Sequence, residues 1–461
     1  MNNAQNNIFS GATPAEVKAD LLPLVDFQDN GLAPADINNL LKHKLVPHLM
    51  KYDRSGFQSM FNSFPESGAE LGANLALAYN QGVTNWQVSP GGAMLEELCC
   101  QRLCRLFGLP ETADATFMYS GTYANQEALY LALHKKAEQQ GFDYRKLGLM
   151  GFGNNANKLA ILASKDAHLS VRQAAYILGL GEECHIPLEV DQNRRIDIDK
   201  LAQLLVDLKS DIDVCCIIAT AGTTSAGAVD PIEPLAHLAR RHNAWLHVDG
   251  AYGLAYSLVP EYKPRFAGIA LADSVSWDPH KQLGIPIPNS LLFVNNADDF
   301  YRIAQYSHYF NREEDIAPNP GFKSPPTTRP MSALPLVTSL LSQGVTKVIE
   351  RLRMPLQNIS QLAIELKQRE EFQLFHEPDA GILCFRITPA ACPLDKYDEL
   401  QDYVYNQIMQ SGQRSISITK LDGITALRLL AISPAVTLEA LLETIDDIIA
   451  RSKTFVAEAR S

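Results

Sequence analysis

Between Leu159 and Trp277 the chain alternates short apolar runs with amphipathic stretches. Leu159 to Ala163, Val214 to Ala219, Trp245 to Val248 and Ser274 to Trp277 are short, bounded by turn residues and rich in Val, Ile and Ala, the pattern of strands covered on both faces. Pro231 to His242, between the second and third of these, reads as a helix with proline in its first turn. Strand, helix, strand implies a parallel sheet. Upstream, Asn125 to His134 reads as helical, Met94 to Phe107 as an amphipathic helix with Leu95, Leu98, Leu103 and Leu106 as its buried stripe, and Gly82 to Gly92 as a loop. Near the beginning, Val17, Leu21, Leu22 and Val25 are spaced for one helix face. Near the end, Ile382 to Ile387 and Leu427 to Ile432 read as strands and Leu438 to Ala450 as a closing helix, an α+β pattern reached through the proline-rich stretch Pro318 to Pro335. The expected division is a helical segment over 1–55, a large α/β domain over 56–325 and a smaller α+β domain over 326–461.

The chemistry-bearing residues cluster where those strands end. Asp249 closes His247-Val248-Asp249-Gly250-Ala251-Tyr252, and Lys281 follows the strand-like Asp273 to Trp277 in Ser276-Trp277-Asp278-Pro279-His280-Lys281. One lysine to make a Schiff base and one buried carboxylate to keep a pyridine nitrogen protonated is what a pyridoxal 5'-phosphate site requires. Tyr119-Ser120-Gly121-Thr122-Tyr123-Ala124-Asn125 supplies a small-residue turn opening into a helix, whose N–H groups suit a phosphate. His168 follows the strand Leu159 to Ala163 and can stack on the ring, and the turn Ala219-Thr220-Ala221-Gly222-Thr223-Thr224 places hydroxyls nearby. In open α/β sheets, ligands bind beyond the carboxyl ends of the strands.

These segments resemble, in order and spacing, the group II pyridoxal-phosphate-dependent amino acid decarboxylases, in particular the branch of glutamate, cysteine sulfinate and aromatic-L-amino-acid decarboxylases. Gly227-Ala228-Val229-Asp230-Pro231 belongs to the same ordered set, and the likeness runs from about Ser55 to the C-terminal region. The resemblance implies a fold-type-I, aspartate aminotransferase-like α/β architecture with a mostly parallel central sheet. It also implies a homodimer with active sites at the interface, the N-terminal helical segment packing across the partner, and release of CO2 and the corresponding amine from an acidic or other polar amino acid. By residue, it implies Lys281 as the Schiff-base lysine, Asp249 as the ring-nitrogen partner, Ala251 as a contact beneath the ring and His168 as the stacking histidine. Thr224 becomes a cofactor-contacting hydroxyl, Gly121 with Thr122 the phosphate turn, His280 a phosphate contact and Arg428 the grip on the substrate's α-carboxylate.

The chain departs from that pattern in two places. Asp278 stands where relatives often carry an asparagine that touches the phosphate, and a carboxylate there is repulsive unless turned away or bonded to another donor. The relatives' proton-donating loop tyrosine has no counterpart between Phe310 and Arg329, which leaves Tyr309 as the candidate, with His168 or water as substitutes. That departure keeps open a decarboxylation-dependent aldehyde synthase or a carbon–carbon lyase on the same fold. A non-catalytic homologue with a binding or regulatory role is a further alternative, opposed by the joint presence of Lys281 and Asp249. Gly91 and Gly92 after Pro90, where bulkier residues are common in relatives, suggest a roomier pocket.

Composition fits a globular enzyme: 461 residues, 46% hydrophobic and 20% charged. A net charge of -12 and a pI near 5.4 argue against nucleic acid or an anionic membrane as partner. The apolar runs are far shorter than the roughly 20 residues of a membrane span. Met1 to Asn7 has neither the basic residues nor the apolar core of a secretory signal, so a cytoplasmic location is expected. The 8 cysteines lack metal-ligand spacing, so reduced buried thiols are expected and no metal site.

Overall fold

The apolar runs become strands of one sheet in the computed structural model, which describes residues 7–27, 29–208, 211–306 and 317–458. The chain divides into two units, and the larger comprises Pro65–Leu356 with His376–Ala380. Its strands are β1 (Asp114–Met118), β2 (Leu159–Ser164), β3 (His185–Leu188), β4 (Asp213–Thr220), β5 (Trp245–Asp249), β6 (Ser274–Trp277) and β7 (Ser290–Val294), in the order β1-β7-β6-β5-β4-β2-β3. β7 runs antiparallel to both of its neighbours, β1 and β6. All other pairings are parallel, so six strands end at the same edge. This is the mostly parallel α/β sheet of the fold-type-I class.

Sequence dictates these strands through burial. Every residue of β4 after Asp213 is buried, because helices cover both faces of a parallel sheet. The helix Ile232–Arg241 starts just after Pro231 and turns Ile232, Leu235, Ala236, Leu238 and Ala239 inward. The 19-residue helix Gly121–Gln139 is capped by Ser120, whose hydroxyl accepts from the Tyr123 N–H. Trp277 is fully buried at the end of β6, edge-on to Phe107 with ring centroids 5.0 Å apart.

Three expectations are corrected by the structure. The helix Pro90–Leu106 begins inside the segment read as a loop, since proline is well suited to a first helical turn. Its buried stripe is Ala93, Glu96, Cys99, Cys100, Leu103 and Cys104, whereas Leu98 is 55% exposed. The inward positions keep three- and four-residue spacing, and the polar member Glu96 hides the pattern by pairing with buried Arg329 at 2.5 Å. Gly92 does not widen a pocket: a Cβ there would lie 2.6 Å from Ser89 Oγ and 2.8 Å from Val83 Cγ2, so its hydrogen permits close packing.

The second unit comprises Met1–Phe64, Gln357–Phe375 and Gly381–Ser461. It carries an antiparallel sheet of β8 (Phe372–Leu374), β9 (Ile382–Ile387), β10 (Ser417–Leu421) and β11 (Ile424–Leu430), in the order β10-β11-β9-β8. The helices Tyr397–Ser411 and Leu438–Glu458 bury Leu400, Val404, Leu441, Ile445 and Ile448 in a core shared with Phe385, Leu427 and Leu429. The closing helix is longer than its apolar repeat suggested. In the same unit, the short helix Pro14–Leu21 buries none of its residues, and Leu22, Val25 and Phe27 beyond it are exposed.

Candidate active site

Four sequence-singled groups meet beyond the ends of β2, β5 and β6 and at the start of the helix Gly121–Gln139. Asp249 is the last residue of β5 and is buried. Its Oδ1 accepts from the Ala251 N–H at 3.1 Å and from Ser276 Oγ at 3.3 Å, and its Oδ2 from Asn125 Nδ2 at 2.8 Å. Lys281 follows β6 by one turn, with Nζ 3.0 Å from Asp278 Oδ2. Asp278 is itself buried, and its Oδ1 has no hydrogen-bond partner.

His168 stands between β2 and the helix Ser170–Ile177. Its Nδ1 faces the Ser170 N–H at 3.2 Å and the Ser170 hydroxyl at 2.9 Å, so Nδ1 accepts and the neutral ring carries its proton on Nε2. Burial holds its pKa below the ordinary histidine value, and the Asp249 carboxylate pulls the other way. His280 donates from Nδ1 to the Asn289 carbonyl at 2.6 Å, leaving Nε2 3.8 Å from Asp278 Oδ2. Burial likewise lowers the His280 pKa.

The turn at Gly121 is a cradle in the literal sense. A Cβ on Gly121 would lie 2.9 Å from Asp278 Oδ2 and 3.0 Å from the Ala251 Cβ, so only glycine fits between these two residues. Thr122 is half-buried beside it, and Thr224 is exposed in the turn after β4. Thr223, its neighbour, is fully buried, with Oγ1 accepting from the Ala228 N–H.

Arg428, in β11 of the second unit, is buried; its Nη1 donates to the Ser59 carbonyl at 2.8 Å and Ser417 Oγ at 2.7 Å, and its guanidinium lies over the Phe61 ring. Tyr309 falls outside the described residues. Tyr306 is described, and packs its ring on Phe322 with centroids 5.0 Å apart. No group of His, Cys, Asp and Glu able to hold a metal occurs among the described residues. No helix among them is long and apolar enough to cross a membrane.

A parallel sheet edge bearing a lysine, a hydrogen-bonded carboxylate and a histidine defines a pyridoxal-phosphate enzyme of fold type I. Residues 16–388 match the model of the pyridoxal-dependent decarboxylase conserved domain, and the chain belongs to that family. It is 31% identical over 389 residues to the L-2,4-diaminobutyrate decarboxylase of Rhizobium meliloti (strain 1021), covering 83% of this chain and 74% of the relative. It is 26% identical over 452 residues to the acidic amino acid decarboxylase GADL1 of Homo sapiens, covering 94% and 84%. Among solved structures, it resembles the glutamate decarboxylase domain of diaminobutyrate-pyruvate transaminase and L-2,4-diaminobutyrate decarboxylase from Vibrio parahaemolyticus, with a TM-score of 0.87, 25% identity, and coverage of 97% of this chain and 91% of that one. The chain is thus a pyridoxal-dependent carboxy-lyase acting on an amino acid.

The residues present fit its cofactor. Asp249 offers an acceptor of fixed orientation, the glycine at a long helix's start leaves backbone N–H groups approachable, and Lys281 is partly exposed, with 19% of its side chain accessible.

The sequence reading passed over Asn125, Ser276 and Ser170, which hold Asp249 and His168 in place. A period-2 reading of Trp245 to Asp249 and of Ser274 to Trp277 would have found part of this set. It puts Trp245, His247 and Asp249 on one face of β5, with Ser274 and Ser276 on one face of β6.

Proposed function

We propose that the substrate is a polar amino acid and that L-2,4-diaminobutyrate is the first to test, with acidic amino acids as the competing class. Support for this order comes from the 31% identity to a diaminobutyrate decarboxylase against 26% to an acidic amino acid decarboxylase. The observation that carries the reading is the convergence of Lys281, Asp249 and His168 at one sheet edge.

Pyridoxal phosphate, when bound, supplies an electron sink for the pair left at the α carbon as CO2 departs. Lys281 would hold the cofactor's aldehyde carbon. Asp249 would accept the ring-nitrogen proton and oppose its loss. Gly121 and Thr122 would receive the phosphate, with Thr224, Asp278 and His280 as neighbours, and Ala251 would lie beneath the ring. His168 would cover the other face, its Nε2–H directed for stacking contact or proton delivery. Arg428 is assigned the substrate carboxylate, which its planar fork suits. Tyr309 and His168 are the two assigned sources of the proton that replaces CO2.

We assign the protein to a homodimer in the cytoplasm. Exposed Leu71, Leu75 and Tyr79, at four-residue spacing on the helix Ser67–Tyr79, support association, being an apolar stripe left in water. All eight cysteines are free thiols, as a reducing compartment keeps them.

The test is incubation of the purified protein and a K281A control with diaminobutyrate, acidic and aromatic L-amino acids, recording CO2, amine, aldehyde and peroxide together. CO2 matched by the diamine product is expected. CO2 from acidic substrates alone would overturn the substrate assignment, and CO2 matched by aldehyde and peroxide would overturn simple decarboxylation.

A further inference from the structure

Behind Asp249 runs a buried chain of hydrogen bonds that begins at an indole N–H. Strand register builds it: His247 of β5 stands opposite Ser274 of β6, and Asp249 opposite Ser276. Trp245, two residues before His247, projects to the same face. The Trp245 indole Nε1–H donates to Ser274 Oγ at 2.8 Å. An indole nitrogen can only donate, which fills one Ser274 lone pair, and the Ser274 hydroxyl proton has His247 Nδ1 within reach at 2.8 Å. Burial pushes the His247 pKa down to about 4, so the ring is neutral and has one donor and one acceptor nitrogen. With Nδ1 accepting, Nε2 donates to Asn125 Oδ1 at 3.0 Å. Ser276 Oγ lies 3.1 Å from that same oxygen and 3.3 Å from Asp249 Oδ1, and its single proton serves one of these acceptors at a time. Both Asn125 amide hydrogens then point the other way, to Asp249 Oδ2 at 2.8 Å and Ser170 Oγ at 2.9 Å. The Ser170 hydroxyl, having accepted, donates to His168 Nδ1.

We propose that Trp245, Ser274, His247 and Asn125 are positioning residues that force Asp249 to remain a hydrogen-bond acceptor and, through Ser170, fix His168 with its proton on Nε2. With His247 Nδ1 accepting, the links run one way, from the indole N–H through Ser274, His247 and Asn125 to the Asp249 carboxylate. A proton on Asp249 Oδ2 would face the Asn125 amide hydrogen, so the chain disfavours it. Asn125 is the branch point that orients both the group beneath the ring nitrogen and the group over the ring face. All seven side chains from Trp245 to Asp249 and Ser170 are buried, with Asn125 at 3% exposure, so water cannot replace a missing link without a cavity. The titratable groups whose charge bears on Asp249 are His168 and His247. This inference rests on Asp249 being the cofactor's ring-nitrogen partner.

The test uses the cofactor-loaded protein and the visible absorbance of the bound cofactor as a function of pH. S274A and H247F remove the oriented acceptor and donor, W245F removes only the indole N–H, and S274T restores the hydroxyl. A shift of about one pH unit in the spectroscopic midpoint is expected for S274A and H247F, a smaller one for W245F, and recovery in S274T. D249N must itself disturb the spectrum; if it does not, the underlying reading of Asp249 fails rather than this one. If D249N does so while folded S274A and H247F keep the wild-type profile, the positioning role is overturned. The histidine tautomer gives a readout that needs no variant: 15N-histidine NMR of the wild type should show His247 protonated on Nε2 alone, and protonation on Nδ1 would sink the proposal.

Discussion

The Asp278 carboxylate is the counter-ion of Lys281, at 3.0 Å, and at the same time lies against Gly121, the first residue of the helix proposed to receive the phosphate. The repulsion expected from the sequence is therefore met in this structure by a bond to the lysine amine. Cofactor binding would ask that amine to leave its partner, and would bring a dianion beside the carboxylate.

D278N should accordingly tighten cofactor binding, by about tenfold for one charge removed at close range. The measurement is an absorbance titration of apoprotein with pyridoxal phosphate. Weaker binding by D278N would show instead that the carboxylate assists loading.

G121A should do the reverse. Its methyl group would sit 2.9 Å from Asp278 Oδ2 and 3.0 Å from the Ala251 Cβ, so the turn must open. A loss of cofactor affinity of about tenfold or more, with an unchanged circular dichroism spectrum, is the expected result.

D249A should lower kcat by about 10²–10³-fold, because Asp249 is the carboxylate that the Asn125 amide and the Ala251 N–H hold in place at the end of β5. Single-turnover kinetics at saturating cofactor separate this loss from weaker loading. An unchanged kcat would remove Asp249 from the chemistry.

Acid should destabilise the fold from below about pH 6.5. Native His247 takes a proton only near pH 4, against 6.5 when unfolded. Between those values the unfolded chain binds more protons, so stability rises with pH and is lost as pH falls. For His247 alone this amounts to on the order of 3 kcal/mol. His168, His280 and His376 are displaced in the same direction by burial. Asp230, raised to about 7, acts oppositely, its contribution being lost as pH rises through 7. His134, also lowered to about 4, and His185 join the histidines, while Glu127 and Asp273 are raised with Asp230; six histidines against three carboxyls predict a Tm lower at pH 5 than at pH 7, by calorimetry. A Tm that rises on acidification would contradict it.

R329M should cost about 3–5 kcal/mol of unfolding free energy, because it strands buried Glu96 without its cation. Glu96 and Arg329 both lie in the larger unit, so denaturant unfolding of the whole chain should show the loss in the transition of that unit.

Lys281 and Asp249 could be singled out in the sequence because Asp249 closes β5 and Lys281 follows β6 by one turn, and strand ends are where ligands gather in such sheets. The four apolar runs became β2, β4, β5 and β6 with only their edges moved. Asn125 was not legible as a site residue, since nothing local says that the second turn of its helix faces β5 and β6. Leu98 misled for the opposite reason: an apolar residue near the right spacing outweighed Glu96, whose burial depends on Arg329, over two hundred residues away in the chain. Arg428 could be read as a lone cation in an apolar strand, but its bonds to Ser59 and Ser417 depend on a chain segment that folds back from the beginning of the sequence.

Two parallel strands that set His247 opposite Ser274 and Asp249 opposite Ser276 carry chemistry in their alignment as well as in their side chains. A slip by one residue would turn the whole set to the opposite side of the sheet. Insertion of a single residue within Trp245–Asp249 could leave an apolar strand able to pair and yet aim valine where aspartate belongs. The inheritance of this site therefore depends on the spacing of β5 as strictly as on its lettering, and point substitutions there should be better tolerated than insertions or deletions.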